Sequence, residues 1–179
     1  MNTWFCSDYH LGHANIIKYC NRPFSSVEEM NSTIIINHNE RVNPDDTVYF
    51  VGDFCFRNSP GGKEGEGAIH KAEYYRHLLN GHMIFIKGNH DRNNSLKTPI
   101  EKLVIRYGGQ RICLVHNPLH ADSTYPLNFV GHVHEKWKIK RLNENSIMVN
   151  VGVDVWNFKP VSYEEIWSAI QRWKKTEQV

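Results

Sequence analysis

Thiol pairs, long apolar runs and a strong charge of either sign are all missing from this chain. It has four cysteines, Cys6, Cys20, Cys55 and Cys113, and no C-x-x-C spacing among them, which argues against a zinc knuckle or a dithiol redox motif. Cys6 and Cys113 fall inside apolar strand-like runs and read as small core residues. No apolar stretch approaches the roughly 20 residues that span a bilayer, and the first strand-like run begins at Thr3, without a secretory pattern before it. A reduced, cytoplasmic setting with no membrane partner is the expectation. The formal net charge of +2 is too small to favour a nucleic-acid partner. The basic stretches Lys136–Arg141 and Arg172–Lys175 are interleaved with apolar residues, as on a solvated strand or helix face. Trp137, Trp156, Trp167 and Trp173 could stack on a base or serve as core and edge residues. At 179 residues, with 40% hydrophobic content, the chain can bury a core without disulfides, and one domain over 1–179 is expected.

What is present is histidine, placed in order. Five segments, Asp8-Tyr9-His10, Gly52-Asp53, Gly88-Asn89-His90-Asp91, His116 and Gly131-His132-Val133-His134, each close a short apolar run. The runs are Thr3–Cys6, Thr47–Val51, Met83–Ile86, Ile112–Val115 and Phe129–Val130. A strand ending on a polar side chain, then a turn, is how a sheet projects several groups toward one point. His90 and Asp91 aside, the segments offer two carboxylates, an Asn carbonyl and four imidazoles without thiolate, a donor set for manganese, iron, zinc, cobalt or nickel. That is too many ligands for one tetrahedral zinc and enough for two ions sharing a carboxylate, the arrangement that clamps both oxygens of a displacement at phosphorus.

The rest of the pattern alternates helix and strand. Ser26 with Glu29 has the spacing of a capping box, opening a helix that runs to about Arg41. A short helix over 16–20 would take Asn15 as its cap. After Asp53, the segment 59–67 breaks all periodicity, either as a rim over the site or as a loop without a role. A helix over about 68–79 follows. Leu103–Tyr107 and Arg111–Val115 read as a hairpin, as do Trp137–Leu142 and Ser146–Val149. The last helix, about 163–174, has Ser162 and Glu165 as a second capping box.

The ordered set D-x-H, G-D, G-N-H-D, H and G-H-x-H resembles the calcineurin-like metallophosphoesterase superfamily, over positions 8 to 134. The opening Ser7-Asp8-Tyr9-His10-Leu11-Gly12-His13-Ala14-Asn15-Ile16-Ile17, with Arg22-Pro23-Phe24 after it, is most similar to the small single-domain bacterial and phage phosphoesterases. The resemblance implies an α/β fold of two β-sheets packed as a sandwich with flanking helices, in four α-β-β-α layers. It implies two divalent metal ions, manganese first among them. Asp8, His10 and His134 would hold one ion, Asn89, His116 and His132 the other, and Asp53 would bridge. His90 would stabilise or protonate the leaving oxygen, with Asp91 orienting its ring.

Four further residues are candidates for the substrate. His13 and Asn15 follow the first ligand pair closely enough to reach a phosphate, if Asn15 is not a helix cap. Arg57 and Arg92 either bind a phosphate oxygen or lie exposed on the surface. His120, beyond His116 and Pro118, is an outside candidate. The reaction implied is metal-assisted hydrolysis of a phosphoester without a phosphorylated residue. Gly52-Asp53-Phe54-Cys55-Phe56-Arg57-Asn58 departs from the Gly-Asp-x-x-Asp-Arg-Gly of the superfamily's protein phosphatases, and Asp91 stands where they have Glu. A phosphodiesterase acting on nucleotides or small phosphodiesters is therefore expected. A phosphomonoesterase and a non-catalytic metal-binding scaffold are the alternatives.

Overall fold

The computed structural model describes residues 1–56, 68, 70–92 and 96–177, with Arg92 described by its backbone only. Arg57 and the glycine-rich segment 59–67 lie outside the described residues. Two mixed sheets pack as an α/β sandwich. The first has strands β1 (Thr3–Cys6), β2 (Thr47–Val51), β3 (His82–Ile86) and β9 (Val161–Ser162) in the order β3-β2-β1-β9. The second has β4 (Lys102–Tyr107), β5 (Gln110–Val115), β6 (Leu127–Val130), β7 (Ile139–Asn143) and β8 (Ser146–Asn150) in the order β4-β5-β6-β8-β7. Strands β1, β2 and β3 run parallel, and so do β5, β6 and β8. Parallel neighbours end on the same edge of a sheet, so the loops that follow them emerge side by side.

Alternation along each strand decides which layer it feeds. On β1, Phe5 faces the second sheet and meets Phe129 edge-on at 4.9 Å, while Trp4 and Cys6 face the other way. Phe5, Val51, Ile86, Leu114, Phe129 and Val149 form the core between the sheets, and each fully buried side chain of this size contributes roughly 2 kcal/mol. Helix α4 (Tyr163–Thr176) adds Ile166 and Ile170 to that core. Trp4, Val48 and Phe50 pack instead with α1 (Ala14–Tyr19), α2 (Val27–Asn39) and α3 (Ala72–His77). The outer face of the second sheet carries Cys113, Val115, Val130 and Met148, covered by Ala121, Tyr125 and Trp137. All four cysteines are free and buried, and among the described residues no helix is long and apolar enough to cross a membrane.

Helix ends show where local pattern and tertiary partners disagree. The Ser162–Glu165 capping box is complete, with reciprocal bonds of 2.9 and 3.2 Å. At α2 only half of the expected box forms: Ser26 Oγ accepts Glu29 N–H at 3.1 Å, but the Glu29 carboxylate turns to Ser25 N–H at 2.7 Å. Helix α1 starts two residues earlier than expected. Its cap is His13 rather than Asn15, and no side chain serves it, because the chain turns directly out of the preceding loop through His13 N–H to His10 O. Helix α3 is shorter than expected, with no side-chain cap at Lys71, and Arg76 ties down its C-terminal end by donating to Leu79 O and Gly81 O. Strand β7 begins at Ile139 rather than Trp137, whose carbonyl accepts from the Asn150 side chain.

Candidate metal centre

The loops that leave β1 and β2 run alongside each other. Asp8 N–H donates to Gly52 O, His10 N–H to Asp53 O, and Leu11 N–H to Phe54 O, at 3.0 to 3.2 Å. Asp8, His10, Asp53, His132 and His134 all have φ between 48° and 71°. Left-handed backbone is uncommon for residues other than glycine, and its clustering on five ligand candidates marks a site held by its surroundings. In D-x-H it brings both side chains to one ligand group, and in H-x-H it sends His134 to that group and His132 to the other. Two glycines permit the close approach of the loops. An added Cβ at Gly88 would overlap Asp53 N and Oδ1, and one at Gly131 would overlap Ser7 Oγ and Asp8 Oδ2.

Two groups of side chains result. Asp8, His10 and His134 form one and Asp53, His116 and His132 the other, with candidate ligand atoms within 4.8 Å of one another in each. His10 Nε2 is 3.8 Å from Asp8 Oδ1, and His134 Nε2 is 4.0 Å from the same oxygen. In the second group His116 Nε2 is 3.2 Å from Asp53 Oδ2 and 3.1 Å from Asn89 Oδ1. Asn89 Oδ1 also lies 2.9 Å from His132 Nδ1. Asp53 Oδ2 stands between the groups, 3.5 Å from His10 Nε2. Donors that share an ion at about 2.1 Å each lie roughly 3 to 4 Å apart. Both nitrogens of the buried His10 ring also lack a hydrogen-bond partner, which an imidazole at 1% exposure does not ordinarily tolerate. The donor set and the orphaned ring therefore fit a pair of divalent ions, one at each group.

Surrounding bonds select which ring nitrogen faces the centre. His116 Nδ1–H donates to Val51 O at 2.8 Å and His134 Nδ1–H to Asp154 Oδ2 at 3.1 Å, leaving each Nε2 for a ligand. Asp154 is in turn held by Arg22 at 2.8 and 2.9 Å, and the same guanidinium donates to Asp8 O and Tyr9 O. Ser7 Oγ donates to Asp8 Oδ2. Sequence reasoning missed Ser7, Arg22 and Asp154 as parts of the site. Asp154 follows β8 as the other acids follow their strands, and that was the signal available.

The remaining candidates divide. His90 N–H donates to Asp53 Oδ1 at 2.9 Å, and its half-buried ring lies 5.3 Å from His10, outside both ligand groups. Asp91 has a bracing role. Its carboxylate accepts Asp53 N–H, Phe54 N–H and Gly88 N–H at 2.8 to 3.1 Å, and these bonds brace the loop; none of them is to the His90 ring. His13 is buried, stacked on Phe56 at 4.2 Å, with its Nδ1 unpartnered. Asn15 sits half-buried on α1. His120 is exposed.

Charge is finely opposed here. Burial would raise the Asp8 and Asp53 carboxyls, but the imidazoles around them hold both below the usual range. Burial also pushes His10 down. It would lower His116 and His134 too, yet the Asp53 and Asp154 carboxylates beside them hold these rings up, at about 9 and about 10. In protein stripped of metal both rings carry a proton at neutral pH, and an ion must displace it to reach Nε2. Manganese binding is thus expected to release protons and to tighten as pH rises from 6.5 toward 9, about tenfold per unit for each proton displaced. Calorimetry in two buffers of different ionisation enthalpy measures this. Affinity that does not change with pH, with no proton release, would contradict it.

Comparison with known proteins agrees with the geometry. The chain is 42% identical over 179 residues to an uncharacterized protein of Methanocaldococcus jannaschii, covering 96% of this chain and 92% of the other. It is 26% identical to the gene 66 protein of Mycobacterium phage L5, with 99% and 98% covered. The crystal structure of a protein of unknown function from Aquifex aeolicus superposes with a TM-score of 0.66 at 25% identity, covering 93% of this chain and 98% of that one. The sequence model of the calcineurin-like phosphoesterases matches residues 1–170, and the chain belongs to that family.

Proposed function

We propose that this chain, as one domain over residues 1–179, is a dinuclear metal-dependent phosphodiesterase. One observation carries the reading: a single carboxylate oxygen, Asp53 Oδ2, lies 3.5 Å from a nitrogen of one ligand group and 3.2 Å from a nitrogen of the other. Asp8, His10 and His134 would hold one ion, Asn89, His116 and His132 the second, and Asp53 would serve both. Two such ions, manganese being our first choice for assay, supply Lewis acidity and a water acidified toward neutrality. The chain's own groups do the rest. His90 stands over the site and passes a proton to the departing oxygen. Asp91 fixes the Asp53 turn by its three backbone bonds. His13, whose burial pushes it down to about 3, is a neutral imidazole at neutral pH and serves as a hydrogen-bond partner for a phosphate oxygen. The four buried free thiols accord with a reducing, cytoplasmic setting.

A diester is favoured over a monoester because a cleft of about 370 Å³ opens directly from Asn89 and His116, giving a second ester arm somewhere to go. Hydrolysis of bis-p-nitrophenyl phosphate and p-nitrophenyl phosphate by the manganese-loaded protein tests this. Faster diester turnover is the expected result. Monoester preference would overturn the diesterase assignment, and turnover of neither would leave a metal-binding scaffold.

A further inference from the structure

The cleft beside the second ligand group has a chemistry of its own. It is lined by Asn89 and His116 of that group and by Lys87, Glu101, Asn117 and His120. Among the described residues its lining includes no Phe, Tyr or Trp. The rings it does offer a nucleobase are those of His116, which belongs to a ligand group, and His120. A second phosphate would face the Glu101 carboxylate, which lies 3.6 Å from Lys87 Nζ, the only ammonium among the described lining residues. At that separation the pair is past ordinary hydrogen-bond length. It is also exposed, Glu101 at 76%, so little holds the two together against a ligand. Asn117 uses its Oδ1 to accept Leu119 N–H at 3.0 Å, which turns the 118–120 segment and leaves the amide NH₂ as a donor. His120 follows in that segment, its backbone N–H bonded to Asn117 O at 2.9 Å.

A vicinal diol can donate to the carboxylate while accepting from the ammonium and the amide within one small cleft. The geometry points to a substrate arm of that kind: the cleft takes the polyhydroxylated alcohol of a phosphodiester, a glycerol or a ribose, with its hydroxyls between Glu101 and Lys87. This rests on the diesterase reading above and names the substrate class for it. Neither Lys87 nor Glu101 belongs to a ligand group, so both can be changed without touching the ions.

The test uses the full chain loaded with manganese and four p-nitrophenyl phosphodiesters, whose second arm is glycerol, n-propanol, 5′-linked uridine or 5′-linked 2′-deoxyuridine. The glyceryl ester is expected to exceed the propyl ester about tenfold in kcat/KM, chiefly through KM. Glu101→Gln and Lys87→Met are expected to shrink that advantage to about twofold or less while leaving the propyl ester and metal content unchanged. A matching preference for uridine over deoxyuridine assigns the arm to ribose; a preference confined to the glyceryl ester assigns it to glycerol. Equal turnover of glyceryl and propyl esters, or variants that slow both alike, overturns the inference alone. No turnover of any of the four overturns the diesterase reading and this inference with it.

Discussion

Asp53→Asn is expected to cut phosphodiester turnover roughly a thousandfold or more, the equivalent of at least about 4 kcal/mol of transition-state stabilisation, and to reduce bound metal to one ion or fewer per chain. The substitution is chosen so that the backbone survives it. Asp53 sits at φ 57°, a conformation that Asn adopts as readily as Asp, and its N–H remains free to donate to Asp91. Asn keeps one carbonyl oxygen but loses the negative charge that faces His10 Nε2 and His116 Nε2 together. An amide that presented its NH₂ to that point would repel a cation. Metal content by elemental analysis, circular dichroism for the fold and the aryl diester assay read the three consequences separately. A folded variant that retains both ions and near-normal turnover would remove Asp53 from the shared position.

The parts of this architecture visible in the sequence were those that local physics determines. Strands β1 and β2 begin and end where the apolar runs do, because each run is bounded by polar residues or glycine at which the pattern stops. The ligand candidates were legible because each follows such a strand, and Asp8, His10, Asp53, Asn89, His116, His132 and His134 do converge. What escaped depends on partners distant in the chain. Glu29 and Glu165 stand at the same spacing from their capping serines, yet Glu29 turns to the neighbouring Ser25, while Glu165 completes its box and also meets Arg41. The Asp91 carboxylate receives three amides, from Asp53, Phe54 and Gly88, and no local spacing announces that convergence. Arg22 and Asp154 are 132 residues apart, and no spacing rule links them. Their pairing nevertheless ties the Asp8 loop to His134, and so fixes one ligand group more firmly than its own residues could.

Replacing His90 should separate chemistry from metal binding. The hydrogen bond from His90 to Asp53 Oδ1 uses the backbone N–H, so His90→Ala keeps it, and the ring belongs to neither ligand group. Metal content is therefore expected to stay at the unsubstituted level. Turnover is expected to fall by roughly a hundred- to ten-thousandfold, the usual worth of a positioned proton donor. The size of the fall should depend on the departing alcohol. A p-nitrophenolate leaves without much help from an acid and should show the smallest loss, whereas an alkoxide needs the proton and should show the largest. His10 and His13 are the imidazoles nearest the His90 ring, at 5.3 and 6.2 Å between centroids. Neither can take over the role without moving, since His10 faces the first ligand group and His13 is stacked on Phe56. A variant that loses metal along with activity would make His90 a ligand instead of a proton donor, and an equal loss for aryl and alkyl esters would deny it the proton.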